Sequence, residues 1–299
     1  MKIIIIVNPN GGRRRGLAAA ESAHARLSEA GFTVALQISQ YPGHTYEIAS
    51  TIARETPSDT IIGVIGGDGT LFEVVTGLFS AGEGIPPPFP LAVFPLGTGN
   101  SFSRDVAIHS PEDTVEAIIR GSTRRIDVAR LVSGAGTHYF VNMLGAGFVT
   151  NVASRAHRMK HFGNSAYTLA VLRETIDLES DNVVLTVDGE RIDRQGHFIE
   201  ICNSRYTAGN MLMSPDSRID DGILEVVLLK AVRRAQLLTL LPKVFSGRHV
   251  QTRHLEVFSG RSIRLETQTP WRLTPDGEVF GSTPVYVDVV PRALEVFAG

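Results

Sequence analysis

One cysteine, Cys202, is all that the 299-residue chain contains. That excludes an internal disulfide and a multi-cysteine zinc site. The nine histidines and Cys202 show no HExxH or paired CxxC spacing, so a transition-metal centre is unsupported. Neither sign of charge predominates: 29 Lys and Arg against 31 Asp and Glu leave a formal charge of −2. Without a bulk positive field, general binding to nucleic acid is disfavoured. No apolar stretch approaches the roughly 20 residues that span a bilayer, because Gly, Pro or charge interrupts each one. Any membrane contact is therefore expected to be peripheral. Met1 leads straight into the apolar run Ile3–Val7 without a signal-peptide pattern, so the chain reads as cytoplasmic, compatible with a peripheral place at the inner membrane surface. Internal repeats are lacking, and the Pro-rich stretch Ile85–Pro90 is a loop before a strand. What is present, 43% hydrophobic and 20% charged residues, is the make-up of a soluble globular protein long enough for two domains.

The first part alternates β and α. Ile3–Val7 is a β-branched strand, followed by the turn Asn8-Pro9-Asn10-Gly11-Gly12 and a helix with Leu17, Ala20 and Leu27 inward, capped by Gly31. Phe32–Ile38 is a second strand, and Thr45–Thr56 a helix with Tyr46, Ala49, Ile52 and Ala53 inward. Strands Thr60–Ile65 and Leu91–Phe94 each enter a glycine loop. Ser110-Pro111-Glu112-Asp113 opens a helix to Arg120 with a capping box and a first-turn proline. Such alternation predicts a Rossmann-like, three-layer α/β/α domain around a parallel sheet. From about Arg125 short strands dominate: Arg125–Leu131, His138–Met143, Val183–Val187, His197–Asn203, Ile223–Leu229, Leu255–Phe258, Ser262–Glu266 and Val285–Val290. Helical insertions are expected over Val149–Ile176, broken near Gly163, and over Val232–Phe245. The expected division is residues 1–125 completed by the tail 291–299, and a β-rich, sandwich-like domain over 126–290.

Gly66-Gly67-Asp68-Gly69-Thr70, followed by Leu71-Phe72-Glu73, places three glycines where a buried strand hands over to a helix. Glycines admit close backbone approach, and the helix start offers unpaired N–H groups at a positive dipole end, so a phosphate chain can be gripped there. Asp68 facing a polyphosphate would repel it by roughly 4 kcal/mol for unit charges about 4 Å apart at an effective dielectric near 20. A cation between them, Mg²⁺, is expected. A tight turn with Asp68 as helix cap is the other reading. A second loop, Leu96-Gly97-Thr98-Gly99-Asn100, follows the next strand, and adjacent βα loops line one crevice at the carboxyl edge of a parallel sheet. The loop from Asn8 and Asn10 to Gly12, with Arg13, Arg14 and Arg15, is a third at that edge.

These motifs resemble the catalytic domain of the diacylglycerol kinase family, in particular its bacterial lipid kinase branch. The resemblance rests on Val7-Asn8-Pro9, Gly66–Thr70 with Glu73, and Pro95-Leu96-Gly97-Thr98-Gly99-Asn100. It continues through Ile126-Asp127-Val128, Phe140-Val141-Asn142, Asp220-Asp221-Gly222 and Asp276-Gly277-Glu278. NAD kinases and phosphofructokinases share the first glycine motif, so the ordered set carries the specificity. Phe72 and Ser101 stand where many members carry Asn and Asp, and Gly43-His44-Thr45 replaces a common Gly-Asp-Ala. The resemblance implies ATP-dependent phosphorylation of a lipid hydroxyl in a cleft between the domains. It implies that Gly66, Gly67, Asp68, Gly69, Thr70, Leu71, Phe72, Thr98 and Thr45 contact ATP, and that Asp127 joins Asp68 in a polar network. Its basic partners are sought among Arg13–Arg15 and at Lys160.

Phosphoryl transfer to an alcohol also needs a group that takes the hydroxyl proton. Of two Asp-Gly-Glu tripeptides, Asp188-Gly189-Glu190 lies within an alternating hairpin and is assigned no chemistry. The second matches the family's proton acceptor, which by resemblance makes Glu278 the base. The family also implies a structural Mg²⁺ held by Asp221 with the carbonyls of Arg218 and Ile223. Phe148-Val149 and Met211-Leu212-Met213 are candidates to border an acyl-chain cleft, with core packing as the alternative. Arg155, Arg158, Lys160 and His161, and Arg233, Arg234, Lys243 and Arg248, are candidates for contact with anionic headgroups or for a solvated helix face. The expected function is thus an ATP- and Mg²⁺-dependent lipid kinase. The competing readings are a soluble-substrate kinase of the NAD kinase type and a nucleotide- or lipid-sensing protein without catalysis. The sequence leaves the lipid and the oligomeric state open, a homodimer among the options.

Overall fold

The computed structural model describes residues 1–82, 84–159 and 165–299. Lys160, His161 and the helix break expected at Gly163 lie outside the described residues. The chain forms two compact units, Met1–Val128 with Pro291–Gly299, and Ala129–Val290.

In the first unit β1 (Lys2–Val7), β2 (Thr33–Ile38), β3 (Thr60–Gly66) and β4 (Leu91–Pro95) run parallel in the order 2-1-3-4. Near the C-terminus Val296 adds beside Leu91, also in parallel. The runs Ile3–Val7 and Ile61–Ile65 show no polar alternation because both faces of the sheet are covered. After β1 come α1 (Gly11–Arg14) and α2 (Gly16–Glu29). After β2 comes α3 (His44–Glu55), after β3 α4 (Asp68–Ala81), and after β4 α5 (Ser101–Asp105) and α6 (Pro111–Arg120). Helix α3 packs on α4 and α2 on α6, giving the layers that flank the sheet. The capping box of α6 is formed: Ser110 Oγ accepts the Asp113 N–H at 3.2 Å, and Asp113 Oδ2 accepts the Ser110 N–H at 3.0 Å.

Two expected core positions are corrected. Leu17 is 44% and Tyr46 37% exposed. The buried stripe of α2 is Gly16, Ala20, Ala23 and Leu27, and that of α3 is Thr45, Ala49, Ser50 and Ile52. Leu17 and Tyr46 each sit one residue, hence about 100°, off their stripe. Each stripe joins three small residues to one large one, Leu27 in α2 and Ile52 in α3.

The chain enters the second unit within β5 (Thr123–Ser133), which pairs antiparallel with β6 (Gly136–Phe140). The run expected over His138–Met143 breaks at Val141-Asn142, and β7 (Met143–Gly147) begins anew. Helices α7 (Phe148–Arg158) and α8 (Ser165–Glu174) follow, then the hairpin β8 (Asp181–Val187) and β9 (Glu190–Cys202). Next come the short pair β10 (Tyr206–Thr207) and β11 (Met211–Leu212), then β12 (Leu224–Lys230), α9 (Arg234–Val244), β13 (Leu255–Gly260), β14 (Ser262–Thr267), β15 (Leu273–Pro275) and β16 (Val285–Phe297). Within β16 the chain returns to the first unit.

Strand β9 organises this unit. Its first half, Glu190–Gly196, pairs with β8, while Phe198–Cys202 lies between β7 and β12. A long strand that changes partners in this way turns a corner of a sandwich. At the corner, buried His197 donates from Nδ1 to Glu179 O at 2.7 Å and accepts the Val232 N–H on Nε2 at 2.9 Å, a satisfied structural histidine. Phe198, Cys202, Val227 and Leu229 pack with Phe148, Val152, Leu237 and Leu240 of α7 and α9. Cys202 is wholly buried there, and burial pushes its thiol pKa up.

The contact of α3 with α4 is testable at Gly77, where a Cβ would fall 2.5 Å from Tyr46 O and 2.9 Å from Ala49 Cβ. Gly77→Ala is expected to destabilise the protein by about 1–3 kcal/mol through overpacking. Urea unfolding checks it, as a lowered midpoint with an unchanged slope.

Candidate active site

The glycine loops converge because their parent strands are neighbours and parallel. Pairing continues past the strand ends: the Asn8 N–H donates to Ile65 O at 3.0 Å and the Leu96 N–H to Gly66 O at 2.9 Å. Gly67 and Gly97 then meet backbone to backbone. A Cβ at Gly97 would stand 2.6 Å from Gly67 Cα, and one at Gly67 would stand 3.1 Å from Gly97 Cα. Asn8 ties the third loop in, donating from Nδ2 to Thr70 Oγ1 at 3.0 Å and accepting the Asn10 N–H on Oδ1 at 3.0 Å. Asn100, at φ +51°, braces its own loop by accepting the Gly97 N–H at 2.7 Å and donating to Gly97 O at 3.0 Å. Both Asp68 oxygens accept the Ser101 N–H, at 2.9 and 3.1 Å, joining the start of α4 to that of α5.

In α4 the Leu71 N–H bonds Gly67 O at 3.1 Å, so the N–H groups of Asp68, Gly69 and Thr70 precede the helical ladder. Main-chain donors at a helix start beside a glycine-bearing loop suit phosphate oxygens. Leu71 and Phe72 are buried, so what they can offer a ligand is main chain only. Thr98 is exposed in its loop, whereas Thr45 is buried and its hydroxyl donates to Glu73, tying α3 to α4. Asp127 is wholly buried, and its Oδ1 accepts the Arg292 N–H at 2.7 Å, where Arg292 has φ +48°.

In the second unit the two Asp-Gly-Glu turns have the same backbone, Asp at φ +47° and Gly at φ +89° in each. Their carboxylates differ. Exposed Asp188 accepts the Ser262 N–H at 2.8 Å and the Arg261 N–H at 3.0 Å, and these bonds hold its pKa below the usual range. Asp276 is buried and accepts three main-chain donors: Val141 at 3.2 Å, Asn142 at 3.0 Å and Met143 at 3.1 Å. Its own N–H returns to Met143 O at 2.9 Å. That bridge breaks the strand at Val141-Asn142 and joins two motifs 134 residues apart. Asn203 donates from Nδ2 to Val141 O at 2.8 Å and Ser204 from Oγ to Asn142 Oδ1 at 3.0 Å, all four residues being buried. Glu278 follows as an exposed residue, its N–H closing the turn on Pro275 O at 2.9 Å. Asp276, Asn203 and Ser204 were not expected as part of a site; no local signal marks them, because the donors that Asp276 gathers lie 133–135 residues away.

The Asp221 turn offers one carboxylate and backbone carbonyls. Asp221 is exposed and its Oδ1 accepts the Ile223 N–H at 3.1 Å, while Arg218 pairs with Asp220 at 3.5 Å. Burial raises the pKa of nearby Glu225, and the charges of Asp221 and Asp216 add to this against a hydrogen bond from Ser217. This negative, oxygen-only set fits a hard cation that keeps its waters. No group of three or more His, Cys, Asp or Glu among the described residues forms a metal cage.

A cavity of about 50 Å³ lies inside the second unit, lined by Phe148, Val152, Tyr167, Phe198, Leu237 and Leu240 among others. Both apolar segments singled out in the sequence reach it, through Phe148-Val149 and through Met211 and Met213. His249 also lines it; its Nε2 donates to Met213 O at 3.0 Å, and burial lowers its pKa to about 4.

The family model of the diacylglycerol kinase catalytic domain matches residues 2–131, and that of the YegS C-terminal NAD kinase beta sandwich-like domain matches residues 142–298. A diacylglycerol kinase of Mycobacterium tuberculosis is 29% identical over 302 residues, covering 99% of this chain and 94% of the relative. Among solved structures, a diacylglycerol kinase from Bacillus anthracis has the same fold at TM-score 0.74 and 19% identity, covering 100% of this chain and 97% of that one. An NAD kinase from Archaeoglobus fulgidus in complex with ATP shares the fold more distantly, at TM-score 0.55 and 13% identity over 99% and 93% of the two chains.

Asp276→Ala is expected to lower stability by about 2–4 kcal/mol, since it strands three N–H donors and leaves an alanine at positive φ. Asp276→Asn, which keeps one acceptor oxygen and tolerates the turn, should lose less. Thermal unfolding of the two variants checks the order.

Proposed function

Because the chain belongs to the diacylglycerol kinase catalytic-domain family, we propose that it transfers the γ-phosphate of ATP to the hydroxyl of a lipid alcohol, diacylglycerol or a close relative. The observation that carries the nucleotide half is the side-chain-free contact of Gly67 with Gly97 beside the start of α4. The apolar cavity supports a hydrocarbon acceptor over a soluble one such as NAD.

In this reading the main-chain N–H groups of Asp68, Gly69 and Thr70 bind phosphate oxygens, and the Gly97–Asn100 loop closes on the same chain. Asn8 holds Thr70 and with it the mouth of the helix. Mg²⁺ would offset phosphate charge when held at Asp68, and a second ion would brace the Asp221 turn with the carbonyls of Arg218 and Ile223. Glu278 accepts the alcohol proton as the oxygen attacks phosphorus, and Asp276 fixes the turn that presents it. Asp127, wholly buried against the Arg292 N–H, acts as a positioning residue. The enzyme meets its lipid by peripheral contact with an anionic membrane. The stretch Ala231–Leu255 holds Arg233, Arg234, Lys243, Arg248 and Arg253 and no acid, and it exposes Leu238 at 40% and Phe245 at 43%.

Incubation with labelled ATP, Mg²⁺ and a total lipid extract should label a lipid; labelling of NAD instead rejects the lipid reading. Glu278→Gln should cut kcat by about 10²–10⁴-fold and spare ATP binding, and near-normal turnover removes Glu278 from its role. Leu238→Asp combined with Phe245→Asp should weaken binding to phosphatidylglycerol vesicles about tenfold while sparing turnover in detergent micelles. Undiminished vesicle binding would move the contact away from α9.

A further inference from the structure

Strand β9 buries a carboxyl that the mechanism above leaves idle. Glu200 is 4% exposed and its side chain has no hydrogen-bond partner among the described residues. Burial alone pushes its pKa up to about 8, so at neutral pH it is a carboxylic acid with a proton to donate. An unpartnered acid in a core is costly, and an apolar side chain of similar volume would avoid the cost. Structure alone gives no reason to keep it.

Its surroundings give one. In register, Glu200 stands opposite Gly145 of β7, and Gly145 opposite Thr274 of β15, so the three share a face of the sheet. Gly145 leaves that face bare. A Cβ there would lie 3.2 and 3.3 Å from the Glu200 oxygens and 2.8 Å from Val149 Cγ2, which places the carboxyl over the Gly145 backbone and beside Val149. Val149 lines the cavity, as does Phe198, two residues before Glu200 on the same face. Tyr167 lines it too, and burial, with the neighbouring Glu200 adding to it, raises its phenol pKa. On the other side of Gly145, Thr274 Oγ1 donates to Thr150 Oγ1 at 2.7 Å, and Thr150 donates to Arg272 O at 2.9 Å. Two residues beyond Thr274 is Asp276, which opens the Glu278 turn. One face thus runs from the apolar cavity past the Glu200 carboxyl and a pair of bonded threonines to the turn that bears the base.

We propose that Glu200 is a specificity residue for acylated lipids, its carboxyl O–H donating to the carbonyl oxygen of an ester or amide linkage while the first carbons of the hydrocarbon chain enter the cavity and the hydroxyl lies toward Glu278. This rests on the lipid-kinase reading and narrows it. A lipid alcohol that carries an acyl carbonyl is the substrate class, ahead of its ether-linked analogue and ahead of a sphingoid base.

The test is steady-state kinetics of the full chain in mixed micelles with a diacylglycerol and the matching dialkyl ether. The wild type should show a KM about tenfold lower for the diester, as expected for one hydrogen bond in a dry site. Glu200→Leu should raise the diester KM about tenfold with little change in kcat, erase the difference between the two lipids, and unfold at the same or a higher temperature. Glu200→Gln, which keeps an N–H donor, should retain most of the discrimination. An unchanged diester-to-ether ratio in Glu200→Leu, with both lipids phosphorylated, overturns the role of Glu200 and leaves the kinase reading intact. A lowered unfolding temperature in both variants with that ratio unchanged assigns Glu200 to structure and likewise overturns it. Wild-type preference for a sphingoid base means that an amine, not a carbonyl, is the partner, and overturns the proposal. Failure of the wild type to phosphorylate any lipid while it binds ATP overturns the lipid-kinase reading and this proposal with it.

Discussion

The backbone contact between Gly67 and Gly97 is the constraint on which the first unit depends. Loops leaving neighbouring strands start about 4.8 Å apart, and they stay that close only if neither carries a side chain at the crossing point. Here both positions are glycine, and a Cβ on either would lie within about 3.1 Å of the other's Cα. Closeness has consequences along the chain. It brings the Asp68 carboxylate to the Ser101 N–H, so that the starts of α4 and α5 are set by one acid. It also keeps the crossing point of the two loops free of side chains, next to the first N–H groups of α4, where a phosphate can approach. The inward packing of Leu71 and Phe72 then holds α4 on the sheet from below.

The second unit depends on an interaction of another kind. Asp188-Gly189 and Asp276-Gly277 are the same dipeptide in the same left-handed turn, and only their carboxylates separate them. Asp188 braces an exposed hairpin against Arg261 and Ser262. Asp276 is buried and gathers three consecutive N–H groups, so a turn and a distant strand break become one body. Asn203 and Ser204 complete the fastening from the far side. Glu278 inherits its place from that construction, being itself exposed and joined to it through the turn alone.

Much of this was legible in the residues. β-branched runs and glycines located β1, β3 and β4 with their loops, and Ser110-Pro111-Glu112-Asp113 located α6 to the residue. Those signals are local, because cap chemistry and close approach act over a few positions. Leu17 and Tyr46 are large and apolar yet lie one position off the buried stripe, where Gly16 and Thr45 take the inward place. Hydropathy cannot register that choice, since it depends on how near the neighbouring helix comes. The break at Val141-Asn142 was hidden for a different reason: its cause lies at Asp276, far along the chain. The choice between the two Asp-Gly-Glu turns came from family resemblance, since turn chemistry alone makes them equal. Glu200 leaves a trace in the sequence, an acid between Ile199 and Ile201 in a strand otherwise free of charge from Phe198 to Cys202.

The lone thiol of Cys202 gives the second unit its own reporter. It is wholly buried on the face of β9 that carries Phe198 and Glu200, and burial keeps it in the unreactive protonated form. A soluble thiol reagent can reach it only when the helices part from the sheet, so the rate of labelling measures how often that core breathes. Any molecule that occupies the neighbouring cavity and tightens the core will slow the labelling, and with a single sulfhydryl in the chain the signal has one source.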